Sequence, residues 1–456
     1  MTDVSTETDA GAPTIERGGV RDYLSKLGPT WVAGAVAVGP ASMAAVITAG
    51  ASFGYALLWV VVLSAVLGAT AQYLAMRLGL LTEQGIVTTV EEHLGETWAW
   101  ILVVDTVLAS GLAQLIIMKT VADVSSTITG IDPRVWGVVW ALVLAVGLAG
   151  GGYHVAELGA KIIVSAVVLA FVASMFVVPI DPTEAVTGLA PTIPAGLDGA
   201  LVAAGVLGGA VHITLITMQS YTMRARGWTR EQYDLGLFDV GTSMLAAFGL
   251  FSIAIFLVAA SVLHTPDVAA GELTALSAAE SLGPLAGDYA AGLFLLGLWG
   301  AAVSTLGANT VVPPYLIADK LDWGRDVSDT RFRAALVVVA LAGGLGTFLQ
   351  GAFFPLLVLV LAFGLVGTPF ALAVVLYLLN DPEAVPETNP LIANIGAVAL
   401  IGITTVLAVG FVRNEIPTVT SDPLSAVVVG FAALIGLATV GLLGKYGLEA
   451  GGRAMN

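Results

Sequence analysis

Residues 28–54 read GPTWVAGAVAVGPASMAAVITAGASFG, an apolar stretch with the pair Gly39-Pro40 at its middle. A helix needs roughly 20 apolar residues to cross a bilayer, and this stretch is long enough. Proline removes a backbone donor and clashes with the preceding helical turn, while glycine tolerates unwound backbone. The pair therefore predicts a spanning segment made of two half-helices, with Ser42 as the N-cap of the second.

A second apolar stretch shows the same pattern. Residues 198–223 read DGALVAAGVLGGAVHITLITMQSYTM, with Gly208-Gly209 at the centre and His212 shortly after. Unwound backbone at membrane depth survives only where it is buried in protein or lines a cavity. We therefore expect a second pair of half-helices, interrupted within residues 208–212.

The two stretches also align with each other. Without gaps, WVAGAVAVG (31–39) lies on LVAAGVLGG (201–209), and this frame places Ser42 opposite His212. Paired interruptions in corresponding spans indicate the binding site of a secondary transporter. The alternative is that the glycines merely allow close packing of helices.

The composition decides the class of protein. Of the 456 residues, 57% are hydrophobic and only 11% are charged, whereas soluble domains are about 25% charged. This excludes a soluble enzyme and predicts an all-α polytopic protein whose partner is the lipid bilayer. The chain has no cysteine and a net charge of −16, which argues against thiolate metal sites and nucleic-acid binding. No resident cofactor and no obligate protein partner are expected.

Hydropathy predicts about twelve spanning helices in one domain at 21–446. It is flanked by a disordered acidic cytoplasmic tail at 1–20 and a short cytoplasmic tail at 447–456. The predicted spans are 28–52, 54–79, 96–118, 133–151, 153–179, 198–223, 236–263, 284–315, 332–349, 352–379, 390–412 and 423–444.

The basic residues orient these spans. With the N-terminus inside, most of the 17 Lys and Arg residues fall in cytoplasmic segments, and the outer segments hold Lys119, Arg134 and Arg413. Cytoplasmic loops carry an excess of Lys and Arg. We therefore expect a multi-pass plasma-membrane protein with both termini in the cytoplasm.

The stretch AGASFGYALLWVVVLSAVLGATAQYLAMRLGL (49–80) resembles the second-helix region of the Nramp family of divalent-metal transporters, where the pattern is AGAxFGYxLLW. The resemblance continues in Glu157 of HVAELGA, in LAPTIP (189–194), in Asp239 and in TPFAL (368–372). It implies a LeuT-like fold of about ten core helices in two inverted repeats, with the first and sixth spans broken around a central site. It also implies a divalent metal as the transported substrate.

The family's metal-site motifs are altered in this chain. Its first-helix motif Asp-Pro-Gly-Asn falls on residues 39–42, so Gly39 replaces the aspartate and Ser42 the asparagine. Its sixth-helix motif Met-Pro-His falls on residues 212–214 in the gapless frame, or on residues 210–212 after a two-residue slip. Its two third-helix carboxylates for proton movement fall on Gly111 and Gln114. Manganese or iron selectivity and proton coupling therefore do not follow from the resemblance.

The candidate site is built around the two breaks. We expect carbonyls near the breaks, the Ser42 hydroxyl and the His212 imidazole to hold a divalent ion, since imidazole is a common metal ligand. Asp105, near a predicted span end, is interpreted as a solvated anchor, and so is Asp239 apart from its family match. The predicted substrate-binding residues are Val36, Gly39, Ser42, Gly209, His212 and Thr214, and the predicted polar path contains Gln114, Glu157 and Asp239.

Two substrate classes stay open. A divalent ion that enters a site without an anionic ligand loses hydration free energy that the site does not replace. A partly hydrated ion, Mg²⁺-like or Mn²⁺-like, therefore suits this site best. The alternative is a small organic anion or neutral solute, because the half-helix N-terminus near Ser42 carries uncancelled positive dipole. A third interpretation is a receptor that kept the fold and lost transport. No catalytic constellation or phosphate-binding motif is present, so an enzyme or an ATP-driven pump is not expected.

Overall fold

The computed structural model describes residues 39–150, 153–192, 197–264, 273–421 and 423–455, and within these ranges the chain contains helices and no strand. Shorter helical turns connect the longer helices, among them Pro182–Thr187, Ala275–Ala279 and Gly283–Ala286. The longer helices are α1 Pro40–Phe53, α2 Leu58–Thr82, α3 Ile86–Leu94, α4 Glu96–Thr129, α5 Pro133–Gly150, α6 Tyr153–Ser174, α7 Leu197–Val211, α8 Ile213–Ala225, α9 Tyr233–Val240, α10 Leu250–Val262, α11 Ala290–Thr310, α12 Val312–Lys320, α13 Thr330–Gly343, α14 Phe353–Leu379, α15 Leu391–Glu415 and α16 Pro423–Met455.

The predicted all-α membrane architecture is confirmed. In the described part of the chain, ten helical segments are long and apolar enough to cross a membrane. One of them, Pro40–Thr82, holds the second half of the first predicted span and all of the second, and the fifth span falls on α6. The remaining predicted spans each fall on one of the other segments. The predicted acidic tail at 1–20 lies outside the described residues.

The third span is longer than predicted. Helix α4 continues to Thr129, so Lys119 lies inside a helix and not in an outer loop. Its ammonium is buried and forms an ion pair with Asp123 one turn later, at 3.0 Å. Thr127 and Thr129 also bond to carbonyls of their own helix. Because these polar groups are satisfied within the helix, they do not end it.

The first span resumes as a helix at Pro40. Gly39 is the N-cap, with extended backbone (φ −66°, ψ 178°), and Pro40 occupies the first helical position. Proline suits this position because the first turn needs no amide donor. The prediction that Ser42 is the N-cap is therefore wrong, since Ser42 lies within the first turn. The first half of this span, with Val36, lies outside the described residues.

The break in the sixth span is confirmed, but it falls at His212 and not at the glycine pair. Helix α7 runs through Gly208 and Gly209 to Val211, His212 has non-helical backbone (φ −57°, ψ 137°), and α8 starts at the next residue. The glycines serve close packing instead. A methyl group on Gly208 would overlap a backbone carbonyl of α14, and one on Gly209 would lie 2.6 Å from the Ser42 hydroxyl.

Helix α14 is the centre of the bundle. Nearly all of it is buried, and it packs against α1, α2, α4, α7, α8, α15 and α16. It contains Pro369, which removes one backbone donor from its interior. Helices α1, α7 and α8 all pack against this one helix, so α14 forms a common wall for the start of α1 and the break at His212.

Candidate functional site

A cavity of about 360 Å³ lies where α1 begins and where α7 gives way to α8. Helices α4, α11, α12 and α14 complete its wall. Within the described part of the chain, no acidic, lysine or arginine side chain lines it. Its polar lining consists of Ser42, His212, Thr214, Gln219, Thr222, Thr305 and Asn309.

The structure brings most of the predicted binding residues to this cavity. Gly39, Ser42, Gly209, His212 and Thr214 all line it. Gly39 contributes the extended backbone before α1, and Ser42 follows within the first helical turn. The start of α1 and the break at His212, far apart in sequence, therefore meet at one cavity.

His212 acts as the N-cap of α8. Its Nδ1 accepts the backbone N–H of Thr214 at 3.3 Å and lies 2.9 Å from the Thr214 hydroxyl. Its Nε2 lies against α14, where a methyl group on Gly364 would overlap the ring. Nδ1 is therefore engaged as the cap of α8 in this conformation. Coordination of a metal through Nδ1 would require the ring to rotate.

The carbonyl end of α7 faces the same break. The last four carbonyls of a helix lack intrahelical partners and carry partial negative charge. The carbonyl of Val211 accepts the hydroxyl of Thr368 on α14 at 2.8 Å. The break thus presents a carbonyl end, which favours a cation, beside the amino ends of α1 and α8, which favour an anion.

Gln114 does not line the cavity, but it supports the wall. Its amide oxygen accepts from Asn309 at 3.1 Å, and its nitrogen donates to Thr310 at 2.7 Å. Asn309 also donates to the Ser110 carbonyl at 2.8 Å and accepts from the Ser110 hydroxyl at 3.2 Å. These neutral groups tie α4 to α11 with good geometry. At this position the chain has a satisfied amide cluster instead of a carboxylate.

Asp239, another residue of the predicted polar path, is not among the described residues that line the cavity. Asp239 lies in α9 and is fully buried, so its interpretation as a solvated anchor is wrong. The helix begins at Tyr233, which carries Asp239 inward from the predicted span end. Glu157 lies in α6, and its side chain is outside the described part of the structure.

Asp105 is the residue that the sequence interpretation missed. It is fully buried within α4, and among the described residues neither carboxyl oxygen has a hydrogen-bond partner. The prediction of a solvated anchor is therefore wrong. The mostly apolar surroundings in VVDTV (103–107) are unlike a helix end, but they do not show which face of α4 is buried. Ionisable residues inside spans are costly and usually functional.

The chain resembles known proteins along most of its length. A sequence model of the family described as Natural resistance-associated macrophage protein-like (Nramp) matches residues 30–414. The divalent metal cation transporter MntH of Mycobacterium tuberculosis (strain CDC 1551 / Oshkosh) is 30% identical over 297 residues, which are 62% of this chain and 68% of that protein.

Solved transporter structures share the fold. The manganese transporter of Eremococcus coleocola, in complex with an aromatic bis-isothiourea substituted compound, has a TM-score of 0.71 at 14% identity and covers 94% of this chain and 95% of its own. Mhp1, a nucleobase-cation-symport-1 family transporter, has a TM-score of 0.50 at 14% identity, over 92% of this chain and 93% of its own. These similarities confirm the predicted LeuT-like bundle.

Proposed function

This chain belongs to the Nramp family, and from that premise we propose that it is a secondary transporter that moves a divalent metal ion across a membrane. The observation that carries the proposal is that the start of α1, at Gly39-Pro40, and the helix break at His212 meet in one cavity. Breaks of this kind free backbone groups for a substrate at membrane depth. Relatives named divalent metal cation transporters support the choice of substrate class.

We propose that the ion stays hydrated at this site. The described wall offers neutral oxygens and nitrogens and no carboxylate, so a bare dication would lose water without compensation. Mg²⁺ gives up its waters reluctantly and is the best match, with Mn²⁺ next. One water takes roughly 30 Å³, so an ion with six waters needs roughly 200 Å³, and the cavity holds about 360 Å³.

His212 and Ser42 then contact the water shell and not the ion. His212 Nδ1 already caps α8, and Ser42 is oriented towards Gly209 at the cavity wall. The carbonyl end of α7 supplies the partial negative charge. Gly111 and Gln114 of α4 stand where the family has two carboxylates for proton movement, so stoichiometric proton movement along that route is expected to be weak or absent.

One observation favours a second candidate. The amino ends of α1 and α8 both reach the cavity, and no acid among the described lining residues cancels their positive dipoles. A small organic anion or a neutral solute would match that end of the site. A receptor without transport activity is the third candidate, and the same experiment separates it from the other two.

The proposal places the protein in the plasma membrane with both termini in the cytoplasm. The excess of basic residues in the loops assigned to one side supports this orientation. The position of Lys119 inside α4 removes one basic residue from the outer loops and so strengthens the asymmetry.

The test is uptake into proteoliposomes containing the full-length protein. We expect uptake of Mg²⁺ and Mn²⁺ and little accumulation of small carboxylates. A pH-sensitive dye in the lumen should report no acidification during uptake. Uptake of carboxylates without metal would favour the second candidate, no uptake of any solute would favour the receptor, and metal-driven acidification would refute the uncoupled mechanism.

A further inference from the structure

Among the described lining residues the cavity has no acidic side chain, but a buried carboxyl lies elsewhere on α4, one of the helices of its wall. Asp105 is the tenth residue of α4, about 14 Å along the helix at 1.5 Å per residue. It is fully buried, and within the described part of the chain neither oxygen meets a donor or a cation. An ionised carboxylate in such surroundings is strongly disfavoured. In this arrangement the group therefore holds its proton.

Two glycines on one face of α14 make room for Asp105 and for the cavity histidine. A methyl group on Gly367 would overlap the carboxyl of Asp105, and one on Gly364 would overlap the ring of His212. Residues three apart lie on the same face of a helix, about one turn from each other. Asp105 and His212 therefore contact neighbouring turns on one face of α14. We call this face, which contains Gly364 and Gly367, the α14 seam.

The seam is closed beyond Asp105 by an aromatic pair. Trp98, two turns before Asp105 on α4, stacks on Phe370 of α14 with ring centroids 6.2 Å apart. Because stacked rings, and not ion pairs, close the contact between α4 and α14 here, they bring no charge to the Asp105 carboxyl. Separation of α4 from α14 would open the seam to water and to the cavity at the same time.

Other charges lie at a distance from Asp105. Helix α11 carries no charged residue, and α14 carries only Tyr377 as a titratable group. Lys119 and Asp123 pair with each other further along α4. The other charged or titratable side chains on α4 and on the described helices that pack against it do not bond to Asp105 within the described part of the chain. They are Glu96 on α4, Glu91, Glu92 and His93 on α3, Arg134 on α5, Tyr221 and Arg224 on α8, Tyr315, Asp319 and Lys320 on α12, Arg331 and Arg333 on α13, and Lys445 on α16, which stacks on Tyr377.

We propose that Asp105 is a second cation station on the transport path. When α4 and α14 separate, the cation leaves the cavity along the α14 seam and binds the Asp105 carboxylate. The O–H bond of the carboxyl breaks, its proton passes to water, and one negative charge then faces the cation. When the cation leaves, the carboxyl takes up a proton again. The proposal rests on the proposed transport of a divalent ion and adds the anionic group that the cavity lacks.

Measuring proton release on metal binding tests directly whether the Asp105 carboxyl loses its proton when it binds the cation. Purified full-length protein in weakly buffered detergent solution, with a pH-sensitive dye, is mixed with Mn²⁺ alone and, separately, with Mg²⁺ alone. We expect wild type to release about one proton per protein, since a ligand carboxyl must lose its proton to bind metal. Asp105→Asn should release almost none.

Thr106→Val is the matched control. Thr106 is also fully buried on α4, but its hydroxyl bonds only to its own helix. This variant should release protons like wild type. Gel filtration and melting temperature establish that each variant is folded. No release from wild type, or equal release from Asp105→Asn, would overturn the proposal.

Uptake by the same variants separates this proposal from the proposed function. Asp105→Asn should slow Mn²⁺ uptake about tenfold, as expected when one charge-assisted contact is lost. It should also weaken the dependence of Mn²⁺ uptake on pH, because the carboxyl that competes for protons and cations is gone. A slower rate with an unchanged pH profile would indicate a structural role and overturn the proposal. If wild type takes up neither ion, the proposed function fails, whereas proton release still decides the role of Asp105.

Discussion

Tyr221→Phe tests how the ends of three helices are held together. The Tyr221 hydroxyl on α8 donates to Asp319 of α12 at 2.6 Å. Asp319 is 6% exposed and also accepts the backbone N–H and hydroxyl of Thr88 on α3, at 3.2 and 2.7 Å. Arg325 forms an ion pair with the same carboxylate. These four residues, the Asp319 cluster, join α3, α8 and α12.

The structure sets the size of the expected effect. A hydrogen bond to an ionised group contributes about 1.5 to 3 kcal/mol. Asp319 keeps three other contacts in the variant, so we expect a loss near the lower end of that range. Since about 1.4 kcal/mol is a factor of ten in an equilibrium, the population in which α3 separates from α8 and α12 should rise about tenfold.

Because the chain has no cysteine, a single introduced cysteine can report the separation of these helices by its chemical modification. Val87 of α3 is fully buried beside Thr88, and cysteine is close to valine in size. In a Val87→Cys background, the rate of modification by a water-soluble maleimide reports the open population when closing is faster than reaction. Tyr221→Phe should raise this rate about tenfold.

Tyr315→Phe is the control for this experiment. The Tyr315 ring lies 5.8 Å from that of Tyr221, centroid to centroid, but its hydroxyl takes part in no hydrogen bond among the described residues. Its removal should leave the rate of modification near that of the parent. Equal rates in the two phenylalanine variants would refute the view that the Asp319 cluster holds the helix ends together.

Three further predictions concern stability. Gly208→Ala should destabilise the protein by about 1 to 3 kcal/mol, because its methyl group overlaps a carbonyl of α14; Gly402→Ala, which meets open space, should leave the melting temperature nearly unchanged. His212→Ala should lower the melting temperature by removing the cap of α8, a loss of about 1 kcal/mol, whereas His212→Asn should retain most of it. The Arg331 guanidinium and backbone N–H bond to Asp329 and hold the pKa of its carboxyl below the ordinary value. The resulting stabilisation is present above about pH 4 and is lost as pH falls through the lower folded pKa, so the difference in melting temperature between wild type and Asp329→Asn should shrink at about pH 2. An unchanged melting temperature in Gly208→Ala, equal melting of the two His212 variants, or a difference for Asp329→Asn that does not depend on pH would each contradict the corresponding explanation.

Local sequence was sufficient for the class of fold and for the place of the breaks. Long apolar runs must form helices in a bilayer, because every backbone group has to be satisfied within the segment. Proline and paired glycines then marked where a span departs from a simple helix. The glycine pair was nevertheless misinterpreted. Gly208 and Gly209 are helical, and the helix is interrupted at His212 instead. A glycine needed for unwinding and one needed for close packing look the same in a sequence.

The charge arrangement around the site depended on tertiary structure. The sequence itself determined that the first-helix motif lacks the family's aspartate, since Gly39 is read directly. It could not determine that His212 caps α8 with one nitrogen and rests on Gly364 with the other. Nor could it distinguish a solvated Asp105 from a buried one, because that depends on which face of α4 meets α14. Burial and partners of a side chain are set by helices distant in sequence, and only their packing decides which ionisable groups can act.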